Sequence, residues 1–186
     1  MKPFLFIIII LTIMAFSGAD DNKLIEYHER NELTWNDYHA QPNHESPFKA
    51  LTATRISFKA KSNSKMLKLS IKNTFEPHNS WTKTNESVEL LEHERLHFHI
   101  SELYARKLRK QIQETKFNST DQKLMNEFSR MYEDKMNELS KYQIRYDRET
   151  SHSTMEEKQK EWESKIKSEL LALKLFSNPN VEIEIN

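Results

Sequence analysis

The segment His93-Glu94-Arg95-Leu96-His97 has the H-E-x-x-H pattern, whose residue types and spacing suit metal chemistry. Histidines four positions apart on a helix lie on the same face, near enough to share one ion. Imidazole nitrogen binds zinc well and needs no sulfur ligand beside it. The spacing therefore predicts a Zn²⁺ site held by His93 and His97.

Glu94 directly follows the first histidine, and this offset places its carboxylate beside the ion rather than on it. From there it can accept a proton from the attacking water and later pass it to the leaving amine. The pattern thus predicts hydrolysis of a peptide bond with Glu94 as the catalytic base. The alternative interpretation is a chance match, with two solvated or partly packed histidines and an incidental glutamate.

A catalytic zinc site uses three protein ligands and leaves one position for water. His99 and Glu102 are near in sequence, but a rotation of about 100° per residue places both well away from the face of the two motif histidines. His152 is the only histidine downstream of this helix, and it lies in a break between helical segments. It is the candidate third ligand, and an exposed loop histidine is the alternative.

Composition excludes several classes of function. The chain has no cysteine, so neither a disulfide framework nor a thiolate metal site is possible. Its single glycine is Gly18, so the glycine-rich loops that bind phosphates and dinucleotides are excluded. Its 28 basic residues balance 28 acidic ones, which leaves no basic field to attract nucleic acid.

Residues 1–19 have the organisation of a secretory signal peptide. Lys2 provides a positive start, an unbroken apolar run follows, and small residues end the segment at Ser17-Gly18-Ala19. A retained anchor is the alternative, although a bilayer span needs about 20 apolar residues. We therefore expect residues 20–186 to form one secreted or periplasmic domain, with no membrane span after signal cleavage.

The predicted domain changes character near Trp81. Before it, residues 50–61 and 66–75 alternate apolar and polar side chains, as half-buried strands of an antiparallel hairpin do. Residues 32–38 are rich in β-formers and are predicted to be another strand. After it, apolar residues recur at helical spacing in three segments, the last from about residue 154 to 176. The alternating tail at 181–186 predicts an edge strand.

These patterns predict an α+β fold in which an N-terminal antiparallel β-sheet is followed by about three α-helices. The H-E-x-x-H segment would form a zincin-like helix, the first of the three. The charged helices could instead form a coiled coil, but their apolar positions do not keep a heptad register over three repeats.

Several further short motifs follow one another along the chain. They are Leu33-Thr34-Trp35-Asn36-Asp37-Tyr38, Ala50-Leu51-Thr52 or Ala53-Thr54, Ser80-Trp81, the run from Leu90 to Leu108, and the set Tyr146, Asp147, Thr150, His152, Gln159 and Trp162. In these motifs the chain resembles a bacterial family of proposed secreted zinc-dependent proteases, which contains H-E-x-x-H and is carried as a domain of unknown function. The resemblance supports His152 as a functional position and as the third zinc ligand.

The sequence therefore predicts a zinc-dependent peptidase that acts on a peptide or protein substrate outside the cytoplasm. Two other functions remain open at this stage. One is a non-catalytic cell-envelope protein that binds a metal structurally or binds a partner through its charged helices. The other is a zinc amidase that acts on cell-wall peptide, which would use the same site on a different substrate.

Overall fold

The computed structural model describes residues 24–62, 66–117 and 122–184, and the predicted signal peptide lies outside these ranges. Within them, short strands dominate the N-terminal part and helices the C-terminal part. The predicted mixed fold, with antiparallel strands followed by three helices, is confirmed.

The main sheet is built on an antiparallel hairpin of β3 (Thr54–Ser62) and β4 (Met66–Phe75). Strand β1 (Ile25–Glu26) pairs with the end of β4, and β6 (Asn180–Glu184) pairs with its beginning, both antiparallel. Alternate residues of β4 are buried, which explains the period-two pattern in its sequence. The predicted hairpin and the predicted C-terminal edge strand are both confirmed.

A second, smaller sheet joins β2 (Ala50–Leu51) to β5 (Trp81–Thr82), again antiparallel. Its two strands flank the hairpin in sequence, and the sheet holds residues 47–54 against the beginning of the first helix. This placement brings the segment to the H-E-x-x-H residues.

The three helices are α1 (Val88–Glu114), α2 (Gln122–Thr150) and α3 (Glu156–Ala172). Helix α1 packs on the sheet, and α2 and α3 pack mainly on α1. Ser87 caps α1, because its Oγ accepts the Leu90 N–H at 3.1 Å. Leu96, Ile100 and Leu103 face the sheet from α1 and form the centre of the main core. No helix in the described ranges combines the length and the apolar character needed to cross a membrane.

A buried ion pair fixes α1 to the sheet. Glu102 and Arg109 are each 2% exposed, and Arg109 Nη1 donates to Glu102 Oε1 at 2.8 Å. The same guanidinium donates twice to the Ile71 carbonyl oxygen on β4, at 3.1 and 2.8 Å. Arg106 also donates to Glu102 Oε1, at 3.0 Å. Glu102 therefore has a structural role on the helix face where the sequence placed it, away from the motif histidines.

The prediction of a strand at residues 32–38 is wrong. Residues Trp35–Asp37 form a 3₁₀ turn instead. The Asp37 carboxylate accepts the Thr34 N–H at 2.7 Å and the Thr34 hydroxyl at 3.1 Å. Such local side-chain bonds compete with strand pairing and override the β-propensity of the neighbouring residues.

Candidate metal centre

The H-E-x-x-H histidines meet a carboxylate from another helix. His93 and His97 lie one turn apart on α1, and Asp147 reaches them from the last turn of α2. The Asp147 Oδ1 atom lies 3.1 Å from His93 Nε2 and 3.0 Å from His97 Nε2. All three ligand atoms lie within 4.8 Å of one another. Two imidazoles and one carboxylate thus converge on a single point.

Glutamine side chains determine which ring nitrogen faces this point. His93 Nδ1 lies 3.2 Å from Gln159 Oε1, and His97 Nδ1 lies 2.5 Å from Gln143 Oε1. The amide orientations are set by other bonds: Gln159 Nε2 donates to Glu163, and Gln143 Nε2 donates to the His97 carbonyl oxygen. Both glutamine oxygens must therefore be acceptors, so each histidine carries a proton on Nδ1.

This tautomer leaves an Nε2 lone pair on each neutral ring, directed at the Asp147 carboxylate. Three electron-pair donors at this spacing need a cation between them, either a metal ion or protons that convert the rings to imidazolium. Histidine ligands of zinc commonly donate the second ring N–H to an oxygen, as both rings do here. Nitrogen and carboxylate ligands in this number suit zinc with one position left for water. The residues therefore fit a zinc ion.

The electrostatics of the site favour positive charge. Burial lowers the pKa of His97, but the hydrogen bond to Asp147 and the charges of Glu94 and Asp147 outweigh it and raise this pKa above its ordinary value. Burial raises the pKa of Asp147, but hydrogen bonds from His93 and His97 outweigh it and hold this pKa well below its usual range. Both pKa shifts follow from surroundings that favour a positive charge beside the Asp147 carboxylate.

Tyr146 packs against both histidine rings from the interior. Its ring stacks on His93 with centroids 4.5 Å apart and meets His97 edge-on at 5.0 Å. It is fully buried, and its hydroxyl donates to Gln159 Oε1 at 2.8 Å. Burial raises the pKa of Tyr146 far above its ordinary value, so the phenol stays neutral. Tyr146 therefore orients the rings and the glutamine that fixes the His93 tautomer.

Glu94 is held beside the histidines by a chain of hydroxyl groups. Thr52 Oγ1 donates to Glu94 Oε2 at 2.6 Å, and Tyr38 Oη lies 2.8 Å from Thr52 Oγ1. Since threonine has one hydroxyl proton, Tyr38 must donate to Thr52. The chain fixes one carboxylate oxygen of Glu94, which is 5% exposed and borders the same cavity as His93 and His97.

His152 lies beside Asp147 but does not belong to the group of candidate ligands formed by His93, His97 and Asp147. It follows α2 in a loop where Ser151, His152 and Ser153 have φ of 47°, 50° and 75°. Its Nδ1 lies 3.7 Å from Asp147 Oδ1, and its side chain is 51% exposed. The ring contacts Phe48, with centroids 4.9 Å apart. The structure thus places His152 at the solvent side of Asp147, and Asp147 is the carboxylate that approaches both motif histidines.

The family model described as Bacterial protein of unknown function (DUF922) matches residues 25–153. The chain belongs to this bacterial family. The matched residues run from β1 to the loop after α2, so they include His93, Glu94, His97, Asp147 and His152. Neither a curated protein nor a solved structure matches the chain.

Sequence reasoning missed Asp147 as a candidate ligand, although a signal for it exists in this DUF922 chain. Gln143, Tyr146, Asp147 and Thr150 are spaced three, one and three residues apart, which places them on one helix face. All four lie within hydrogen-bond or ring-contact distance of a motif histidine. The helical spacing of these four residues, which all carry polar groups, could have indicated that this face of α2 is buried against α1.

The candidate metal centre lies in the wall of a cavity of about 910 Å³. Four segments form its walls: residues 47–54, the first turns of α1, one face of α2, and the loop at residues 151–154. The size falls within the range of pockets that hold ligands larger than a single side chain. Peptide segments are among the ligands that fit this volume.

Proposed function

We propose that the protein is a zinc-dependent peptidase that acts outside the cytoplasm. One observation carries the proposal: two imidazole Nε2 atoms and a carboxylate oxygen converge within 4.8 Å, beside a glutamate held in the same cavity. The signal-like residues 1–19 support a secreted or periplasmic location. The helix that carries His93, Glu94 and His97 would serve as a zincin-like helix.

His93, His97 and Asp147 would hold the ion, with His152 as the alternative third ligand. When bound, zinc would lower the pKa of a water molecule and polarise the peptide carbonyl. Iron(II) also accepts two histidines and one carboxylate in other proteins, so elemental analysis must identify the metal.

Glu94 would act as general base and then as general acid. Its carboxylate accepts a proton from the attacking water as the new C–O bond forms at the peptide carbonyl carbon. It then passes this proton to the nitrogen as the C–N bond breaks, which leaves an amine and a carboxylic acid that loses its remaining proton to water. Thr52 supports this exchange by holding Oε2 in place.

Metal content and turnover together test the proposal. Elemental analysis of the purified protein should give one zinc per chain, and the His93→Ala/His97→Ala double variant should lose it. The Glu94→Gln variant should keep its zinc but lose peptide turnover by about 10²-fold or more, because it lacks the base. A zinc-replete protein that cleaves no member of a diverse peptide library would contradict the peptidase and favour a structural metal site.

A further inference from the structure

The cavity that contains the candidate metal centre is also lined by several exposed apolar side chains. Phe48, Leu51 and Ile144 are 44%, 44% and 62% exposed, and all three line it. Large apolar side chains that meet water at one place usually mark a binding surface rather than a packing defect. Here they adjoin His93, Glu94, His97 and Asp147, so the apolar surface is continuous with the candidate metal centre.

The apolar residues come from two opposing walls. Phe48 and Leu51 lie on the segment around β2, and Met136, Leu139 and Ile144 lie on α2. Residues 136, 139, 143 and 147 follow helical spacing, so the apolar face of α2 continues along the helix into Asp147. Along the axis of α2, Ile144 lies about one turn, or roughly 5 Å, from Asp147, and Met136 lies about three turns, or roughly 16 Å, from it.

We propose that this surface is a subsite for an aliphatic or aromatic side chain of the substrate, next to the bond that is cleaved. The inference rests on the proposed peptidase function and specifies its substrate class. An apolar side chain gains free energy by leaving water between Phe48, Leu51 and Ile144. A charged side chain would lose hydration there without a hydrogen-bonding partner among these residues.

Peptide binding tests the subsite independently of turnover. Zinc-loaded Glu94→Gln protein is titrated into labelled short peptides that differ only at one central position, leucine or aspartate. Fluorescence anisotropy should show that the leucine peptide binds about tenfold more tightly or better, which is the discrimination apolar pockets commonly reach. Equal affinities for the two peptides would overturn the subsite.

A matched pair of variants tests whether the selective binding of the leucine peptide takes place in this cavity. Ile144→Asp on α2 and Leu171→Asp on α3 both place a carboxylate at an exposed helical position, since the native side chains are 62% and 69% exposed. Only Ile144 lines the cavity. In the Glu94→Gln background, Ile144→Asp should weaken leucine-peptide binding about tenfold, while Leu171→Asp should leave it unchanged. Equal effects of the two variants would overturn the subsite.

The two hypotheses fail in different ways. If the wild-type protein cleaves peptides regardless of this side chain, the subsite is wrong and the peptidase stands. If leucine peptides bind selectively but the zinc-replete protein cleaves no peptide, the peptidase is wrong and the surface binds an apolar side chain without cleavage. If neither peptide binds and none is cleaved, both are overturned.

Discussion

At the scale of single residues, protonation decides what the site can bind. When nothing fixes the tautomers of two histidines, their ring N–H groups can donate hydrogen bonds to a neighbouring carboxylate. Here Gln143 and Gln159 hold the protons on the Nδ1 atoms, so the Nε2 atoms of His93 and His97 both present lone pairs to Asp147. The two glutamines therefore make these histidines and the carboxylate a candidate cation site.

The first prediction separates the two candidates for the third ligand. Asp147→Asn should reduce zinc affinity by about 10²-fold or more, because an amide oxygen is a weak ligand for zinc beside two imidazoles. His152→Ala should change it by less than about tenfold, since His152 is 51% exposed and 3.7 Å from the carboxylate. Competition with a fluorescent zinc chelator measures both affinities. The reverse order would establish His152 as the ligand.

The second prediction concerns the hydroxyl chain behind Glu94. Thr52→Val removes the hydrogen bond to Oε2 with little change in volume, and kcat for peptide cleavage should fall about tenfold while KM and zinc content stay constant. Thr52→Ser keeps the hydroxyl and should restore most of the lost kcat. An unchanged kcat in Thr52→Val would show that Glu94 needs no such support.

At the scale of elements, a short turn connects the hydroxyl chain to the motif helix. The 3₁₀ turn Trp35–Asp37 precedes Tyr38, and Trp35 Nε1 donates to the carbonyl oxygen of Ser87 at the start of α1. Tyr38 then reaches Thr52. The turn therefore sets the position of the Tyr38 hydroxyl relative to the helix that carries Glu94.

The third prediction concerns the pH dependence of this turn. Burial raises the pKa of Asp37, but hydrogen bonds from Arg30 and Thr34 outweigh it and lower this pKa below its ordinary value of 3.8. A lowered folded-state pKa stabilises the fold above the unfolded-state value, and this contribution disappears as pH falls through the folded value. At pH 7, Asp37→Asn should cost about 1 kcal/mol of unfolding free energy, a small figure because solvent screens the exposed Arg30.

Urea denaturation of both proteins over a pH series checks this expectation. The wild type should be more stable than Asp37→Asn at neutral pH, and the difference should shrink only below pH 3.8. Glu45→Gln, an exposed carboxylate in a loop, is a suitable control. A difference between wild type and Asp37→Asn that persists undiminished in acid would exclude ionisation of Asp37 as the cause.

Periodicity in the sequence was enough to predict the larger elements and not the shorter ones. Strand β4 of the hairpin buries alternate residues over most of its length, and the apolar residues that α1 adds to the main core recur at helical spacing. The turn at Trp35–Asp37 depends on one carboxylate that caps its own backbone. Asp147 depends on contact with residues 54 and 50 positions earlier, which local periodicity does not encode.

At the scale of the whole molecule, the metal centre joins parts of the chain that are distant in sequence. The candidate ligands come from α1 and α2, and Gln159 supports one of them from α3. An ion bound only by the folded chain stabilises it by about 2.7 kcal/mol at a concentration 100 times Kd. Zinc binding would thus act on all three helices together.

The fourth prediction follows from this linkage. Adding zinc to the chelated protein at about 100 times Kd should raise Tm by roughly 5–10 °C for a chain of this length. Differential scanning calorimetry measures the shift. The His93→Ala/His97→Ala variant provides the control and should show no such response. An equal shift in the variant would place the stabilising ion elsewhere.

The backbone conformation of residues 151–153 determines which substitutions this loop tolerates. Each of its three residues has a left-handed backbone, a conformation that costs an L-residue with a Cβ about 1–2 kcal/mol and glycine very little. Glycine at 151 or 153 would relieve this cost and leave the side chains of the metal centre in place. At 152 the same change would also remove the imidazole that faces Asp147. Natural variants should therefore gain glycine on either side of His152 far more readily than at His152 itself.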